Sequence, residues 1–234
     1  MPVALPQIAP YPLPGEDDLP ENRVSWRPEP SRAILLVHDM QNYFLAPFAA
    51  GAPPLTGLIA NIGLLRDACA GLGIPVVYSM QPSGQSRHER GLLQDFWGSG
   101  IPGLRESEIV ASLLPAESDI LLTKWRYSAF HRTDLRARME AMGRDQIIVC
   151  GVYAHIGCLM TACDAFMQDL QPFLVADAVA DFSPEHHTMA LTYAAQRCAV
   201  TVATRGLLRG WESSVSPPVE TAETPAGTVG GGGG

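Results

Sequence analysis

The chain has 234 residues, 47% of them hydrophobic, and a formal net charge of −8, which suits one sizeable α/β domain with a packed core. With no Lys/Arg block, that acidic balance excludes a nucleic-acid surface, because phosphate binding needs clustered cations. Five cysteines in an odd, unpaired pattern without C-x-x-C point to buried reduced thiols rather than disulfides or zinc.

The first residues, MPVALPQIAPYPLPGEDDLP, lack the basic start and apolar run of a signal peptide. No apolar run is read as long enough to span a membrane. The expectation is a cytoplasmic protein with no membrane partner. Residues 1–31 are rich in Pro and acidic residues and read as an extended arm, lying on the domain or on a neighbouring subunit. From Arg32 a regular alternation begins. AILLVHDM (33–40) is a continuous apolar run ending in polar residues, as in a strand covered on both faces. Residues 55–73 have helical spacing and stop at Gly71 and Gly73. IPVVYSM (74–80) is a second buried strand, and 82–104 reads as a loop. A third strand lies in 117–125, a helix in 133–143, a fourth strand in 146–153 and a helix in 158–170. A fifth strand falls within 172–180 and a sixth within 199–205. Between them 183–198 is a helix with Ser183 as cap and Pro184 in its first turn. The domain is thus expected over 32–212. Residues 213–234, rich in Ser, Pro, Thr and Gly, read as a disordered tail.

Strands alternating with helices imply a Rossmann-like three-layer α/β/α fold around a six-stranded, mostly parallel sheet. Ligands in such sheets bind beyond the carboxyl ends of the strands. Four polar clusters fall there: HDMQNYF, QPSGQSRHERG, KWRYSAF and GVYAHIG. Asp39 ends the first strand, where it could cap loop amides or do chemistry. Lys124 holds the matching place on the third, and a buried ammonium needs a partner such as Asp39. Arg90 offers a planar fork for a carboxylate or a solvated surface charge. Phe44, Trp97 and Tyr127 lie near strand ends, as pocket lining or as core. His155 reads as structural, and His186 and His187 as surface. No His or acidic spacing suggests a metal.

These stretches, together with GRDQIIVCGVYAHIGC and DAFMQDLQPFLVADAVADFS, resemble the isochorismatases of catechol-siderophore synthesis. They are also similar to the phenazine-pathway hydrolases acting on 2-amino-2-deoxyisochorismate. The resemblance runs from the arm to about residue 208. It implies cleavage of an enolpyruvyl ether with release of pyruvate, no cofactor, and a homodimer. Asp39 and Lys124 would be catalytic, and Gln81, Arg90, Tyr153 and Gly157 would bind substrate. The wider superfamily includes hydrolases with an Asp–Lys–Cys triad. Here Gly157 occupies the nucleophile's position, leaving room there, and Cys158 follows. One residue turns a helical side chain by about 100°, so Cys158 is expected to point away. Asp39 then becomes an acid toward carbon rather than a base toward sulfur. Isochorismate is the favoured substrate because IGCLMTACDAFM is closer to the siderophore enzymes. The 2-amino analogue, thiol chemistry through Cys158, and a role as an assembly partner are the alternatives.

Overall fold

A computed structural model describes residues 5–215; most of the tail read from the sequence lies outside them. Six strands form one parallel sheet in the order β3-β2-β1-β4-β5-β6. They are β1 (Ala33–His38), β2 (Val76–Met80), β3 (Ile120–Thr123), β4 (Gln146–Val152), β5 (Gln171–Ala180) and β6 (Val200–Val202). The helices are α1 (Asn42–Leu45), α2 (Leu55–Leu72), α3 (Arg87–Arg90), α4 (Leu93–Trp97), α5 (Leu104–Ser107), α6 (Leu135–Ala141), α7 (Leu159–Met167), α8 (Pro184–Arg197) and α9 (Thr204–Val215).

The layers follow from strand alternation. In β1 every residue is buried, and successive side chains face opposite sides of the sheet. Ala33, Leu35 and Val37 pack in one core with Leu58, Ile62 and Leu65 of α2 and Leu207 and Trp211 of α9. Ile34 and Leu36 pack in the other, with Leu135 and Met139 of α6, Ala162 of α7 and Ala190 and Leu191 of α8. The order of strands reverses between β1 and β4, and such a switch point opens a crevice at the strand ends. Gly151 keeps these two strands close there. Its φ is +114°, and a Cβ on it would sit 2.8 Å from the His38 nitrogen and closer still to the His38 carbonyl oxygen.

Several expectations change. The arm lies on its own domain: Ile8 N–H donates to Pro47 O at 3.0 Å, and buried Tyr11 accepts from Asp181 N–H at 2.7 Å. The stretch 82–104 contains α3, α4 and the start of α5, each too short to show a helical period. Residues 204–215 are helical, so helix continues past 212. Helix α2 is 18 residues long, with mean hydropathy 1.2, which by length and composition is enough to cross a membrane. It packs instead on the sheet through Leu58, Ile62, Leu65 and Cys69. His187 is not at the surface. It is 2% exposed, with Nε2 2.9 Å from Ala176 O and Nδ1 3.2 Å from the Tyr11 hydroxyl.

Candidate active site

A cavity opens at the switch point. Its wall includes Asp39, Gln81, Arg90, Lys124, Tyr153 and Gly157, and Phe44, Trp97 and Tyr127 line it too. All nine residues singled out from the sequence therefore meet in one place, although they come from four different strand-to-helix connections.

Asp39 is the first residue after β1, and its φ of +50° lies in the left-handed region, which Asp tolerates better than most residues. That turn aims a 3% exposed carboxylate into the crevice. Ser79 Oγ donates to its Oδ1 at 2.8 Å, while Lys124 Nζ is 2.9 Å and Gln81 Nε2 3.2 Å from its Oδ2. Lys124 is itself 1% exposed and also donates to Arg126 O at 2.6 Å. Burial alone would raise the Asp39 pKa, but the Lys124 ammonium and the hydrogen bonds from Lys124 and Ser79 outweigh it and hold it below the usual carboxylate range. In the empty site Asp39 is ionised.

Arg90, at the end of α3, is 3% exposed. Its Nε donates to Gly98 O at 3.1 Å and its Nη1 to Gln81 Oε1 at 3.3 Å. Among the described residues no carboxylate lies within ion-pair distance of it. Gln81 thus bridges Arg90 and Asp39. Trp97 Nε1 donates to the Tyr127 hydroxyl at 2.8 Å, and the Tyr153 hydroxyl donates to Phe44 O at 2.6 Å. These bonds fix the aromatic walls.

The expected room at Gly157 is already taken. A Cβ there would lie 2.7 Å from His38 Nε2 and nearer to Cε1. His38 is 1% exposed, with Nδ1 2.9 Å from Val152 O and Nε2 3.3 Å from Tyr127 O. Burial pushes its pKa down against the pull of Asp39, so the ring is neutral and the shorter contact is its N–H bond. Cys158 is fully buried and absent from the cavity wall, and burial pushes its thiol well above the ordinary range.

Other residues of the site were missed. Gln41 locks the second loop: its Nε2 donates to Gln81 O at 2.8 Å and its Oε1 accepts from Gln81 N–H at 2.8 Å. His38, Tyr43, Leu93, Ile156, Phe182 and, from the arm, Leu5 also line the cavity. His155 is not in the cavity wall; its Nδ1 lies 2.6 Å from Asp181 Oδ1 and its ring stacks on His186 at 4.5 Å. Potential ligand atoms of these three residues lie within 4.8 Å of one another. However, Asp181 also accepts from the backbone N–H groups of His155 and Phe182, at 2.6 and 2.7 Å. It works as a cap on the turn after β4.

Comparison with known proteins is consistent with this geometry. Residues 33–205 match the model of the isochorismatase domain. The chain is 54% identical over 227 residues to a protein named isochorismatase from Bacillus subtilis, covering 97% of this chain and 72% of that protein. It is 52% identical over 208 residues to phenazine biosynthesis protein PhzD1 of Pseudomonas aeruginosa, covering 87% of this chain and 98% of that one. A solved cysteine hydrolase from Pseudomonas syringae superposes with a TM-score of 0.75 over 83% of this chain and 98% of its own, at 24% identity. At that identity the likeness is one of fold.

Proposed function

The chain belongs to the isochorismatase family and is an isochorismatase-type hydrolase. On that premise we propose that it hydrolyses the enolpyruvyl ether of isochorismate to pyruvate and 2,3-dihydro-2,3-dihydroxybenzoate, with Asp39 as general acid. The observation that carries this reading is the buried Asp39–Lys124 pair, at 2.9 Å, facing a cavity with no thiol in its wall.

The chemistry begins with proton transfer to the terminal methylene carbon of the ether. Proton transfer to carbon is slow, so a positioned acid gains much. The resulting oxocarbenium ion is captured by water, and the hemiketal collapses to pyruvate and the ring alcohol. Asp39 must hold a proton at that moment, although Lys124 keeps it ionised in the empty site. The substrate resolves the conflict. It carries two carboxylates into a pocket where buried Arg90 and Lys124 contribute two positive charges and buried Asp39 one negative. The added negative charge raises the Asp39 pKa until it takes up a proton from solvent. Arg90 receives one substrate carboxylate on its free edge, and Lys124 holds the second carboxylate or the ether oxygen.

A second substrate is supported by the similarity to the phenazine biosynthesis protein: 2-amino-2-deoxyisochorismate, hydrolysed in the same way. A site built to hydrogen-bond one ring substituent can discriminate strongly against the other. The test is pyruvate release from each substrate side by side, read by coupled lactate dehydrogenase. Faster turnover of isochorismate is expected; preference for the amine selects the second substrate, and no pyruvate from either rejects the ether chemistry. The reading includes a cytoplasmic homodimer, which light scattering and cell fractionation check.

A further inference from the structure

Gly157 poses a steric question. Its backbone is not in the left-handed region, so any residue could adopt its conformation. The three atoms nearest a Cβ at this position all belong to one side chain, His38, with Nε2 at 2.7 Å and Nδ1 at 3.0 Å. The imidazole therefore stands first among the groups that require glycine here. The converse also holds. A bulky aromatic-sized ring fits at the end of β1 only because residue 157 has no side chain.

We propose that His38 is a specificity-determining and positioning residue. Its ring fills the space from which a side chain at 157 would approach Asp39, and its N–H holds the Val152 carbonyl that frames the pocket. His38 Nδ1 lies 3.8 Å from Asp39 Oδ1, and a Cβ on residue 157 would lie 2.7 Å from Nε2 of the same ring, so the imidazole cannot keep its place beside Asp39 when residue 157 carries a side chain. His38 and Gly157 form one exchange unit that keeps a side-chain nucleophile away from Asp39. The inference rests on the proposed role of Asp39 as the reacting carboxylate.

The test is a double-mutant cycle with three readouts. Overpacking predicts that Gly157→Ala lowers Tm by about 4–10 °C. In His38→Ala/Gly157→Ala the added methyl enters the vacated space, and Tm returns to within about 2 °C of His38→Ala alone. For turnover, His38→Ala is expected to lower kcat at least about tenfold with KM little changed, and His38→Asn, which keeps one N–H donor, to restore part of it. In His38→Ala/Gly157→Cys the new thiol is expected to be alkylated by iodoacetamide, mapped by peptide mass spectrometry, while Cys158 stays unmodified. Additive Tm effects, or a Gly157→Ala protein with wild-type Tm, overturn the exchange unit. Wild-type kcat in His38→Ala overturns the positioning role. The Tm cycle needs no substrate, so it stands or falls separately from the chemistry of Asp39. Full ether hydrolysis by Asp39→Asn would reject that chemistry while leaving the cycle intact.

Discussion

The two ends of the same sheet treat buried polar groups in opposite ways. At the amino-terminal ends of the strands, Gln146 is fully buried and spends its whole side chain on protein partners. Its Oε1 accepts from Glu29 N–H at 2.7 Å, and its Nε2 donates to Arg27 O at 3.0 Å and Gln171 Oε1 at 2.8 Å. Nearby Arg32 is matched to Asp145 by two bonds of 2.8 Å and to Glu29 by one of 2.7 Å. At the carboxyl-terminal ends, Asp39, Arg90 and Lys124 are as deeply buried, yet the Arg90 guanidinium bonds to neutral oxygens, Gly98 O and Gln81 Oε1, with no carboxylate in ion-pair range among the described residues. One end closes its polar groups on itself and builds stability. The other leaves charge facing a cavity, which costs stability unless a ligand of opposite charge completes it.

The contrast can be broken at either end. The largest effect is expected from Asp39→Asn, which keeps the shape but removes the proposed acid: kcat should fall by about 10²–10⁴, measured as pyruvate release. Arg90→Ala should act on binding, raising KM by roughly 10–100-fold through loss of a charge-assisted bond to the substrate carboxylate, with a smaller change in kcat. At the other end, Gln146→Ala should lower unfolding stability by about 1–3 kcal/mol through the partners it orphans, with kcat unchanged in the folded protein. Arg32→Ala should be the mildest. Its side chain is a third exposed and that of its partner Asp145 about half, and such surface pairs are worth at most about 1 kcal/mol, read by denaturant titration.

How much of this was legible in the sequence depends on the scale of the signal. All six strands were visible as apolar runs, since a two-sided parallel sheet needs continuous hydrophobicity. Several ends fell as read, at Ala33, Met80 and Gln146, while β1 was read two residues too long at its carboxyl end and β5 begins one residue earlier, at Gln171. The four- and five-residue helices α3 and α4 were not visible because they are too short for a period. Helix α9 was obscured by the low-complexity residues beside it. Asp39 and Lys124 stood out because a charge ending an apolar strand demands a partner. His38 did not, although a signal was present. It shares the parity of Ile34 and Leu36, which face the α6–α7–α8 layer, and that is the side on which the turn at Gly157 begins. His187 was misread because its partners, the Tyr11 hydroxyl and Ala176 O, are distant in sequence.

In the proposed mechanism Asp39 acts as an acid toward carbon, ionised in the free enzyme and protonated when the dianionic substrate fills the pocket. The pH dependence of kcat/KM tests it most directly, because that parameter follows the free enzyme and kcat follows the complex. With the Asp39 pKa of the free enzyme held low by Lys124, only the minor protonated form is productive at neutral pH. The expected result is that kcat/KM falls about tenfold per pH unit between roughly pH 6 and 8, while kcat stays flat to higher pH. A kcat/KM that rises with pH over that range, as for a carboxylate acting as base, would contradict it.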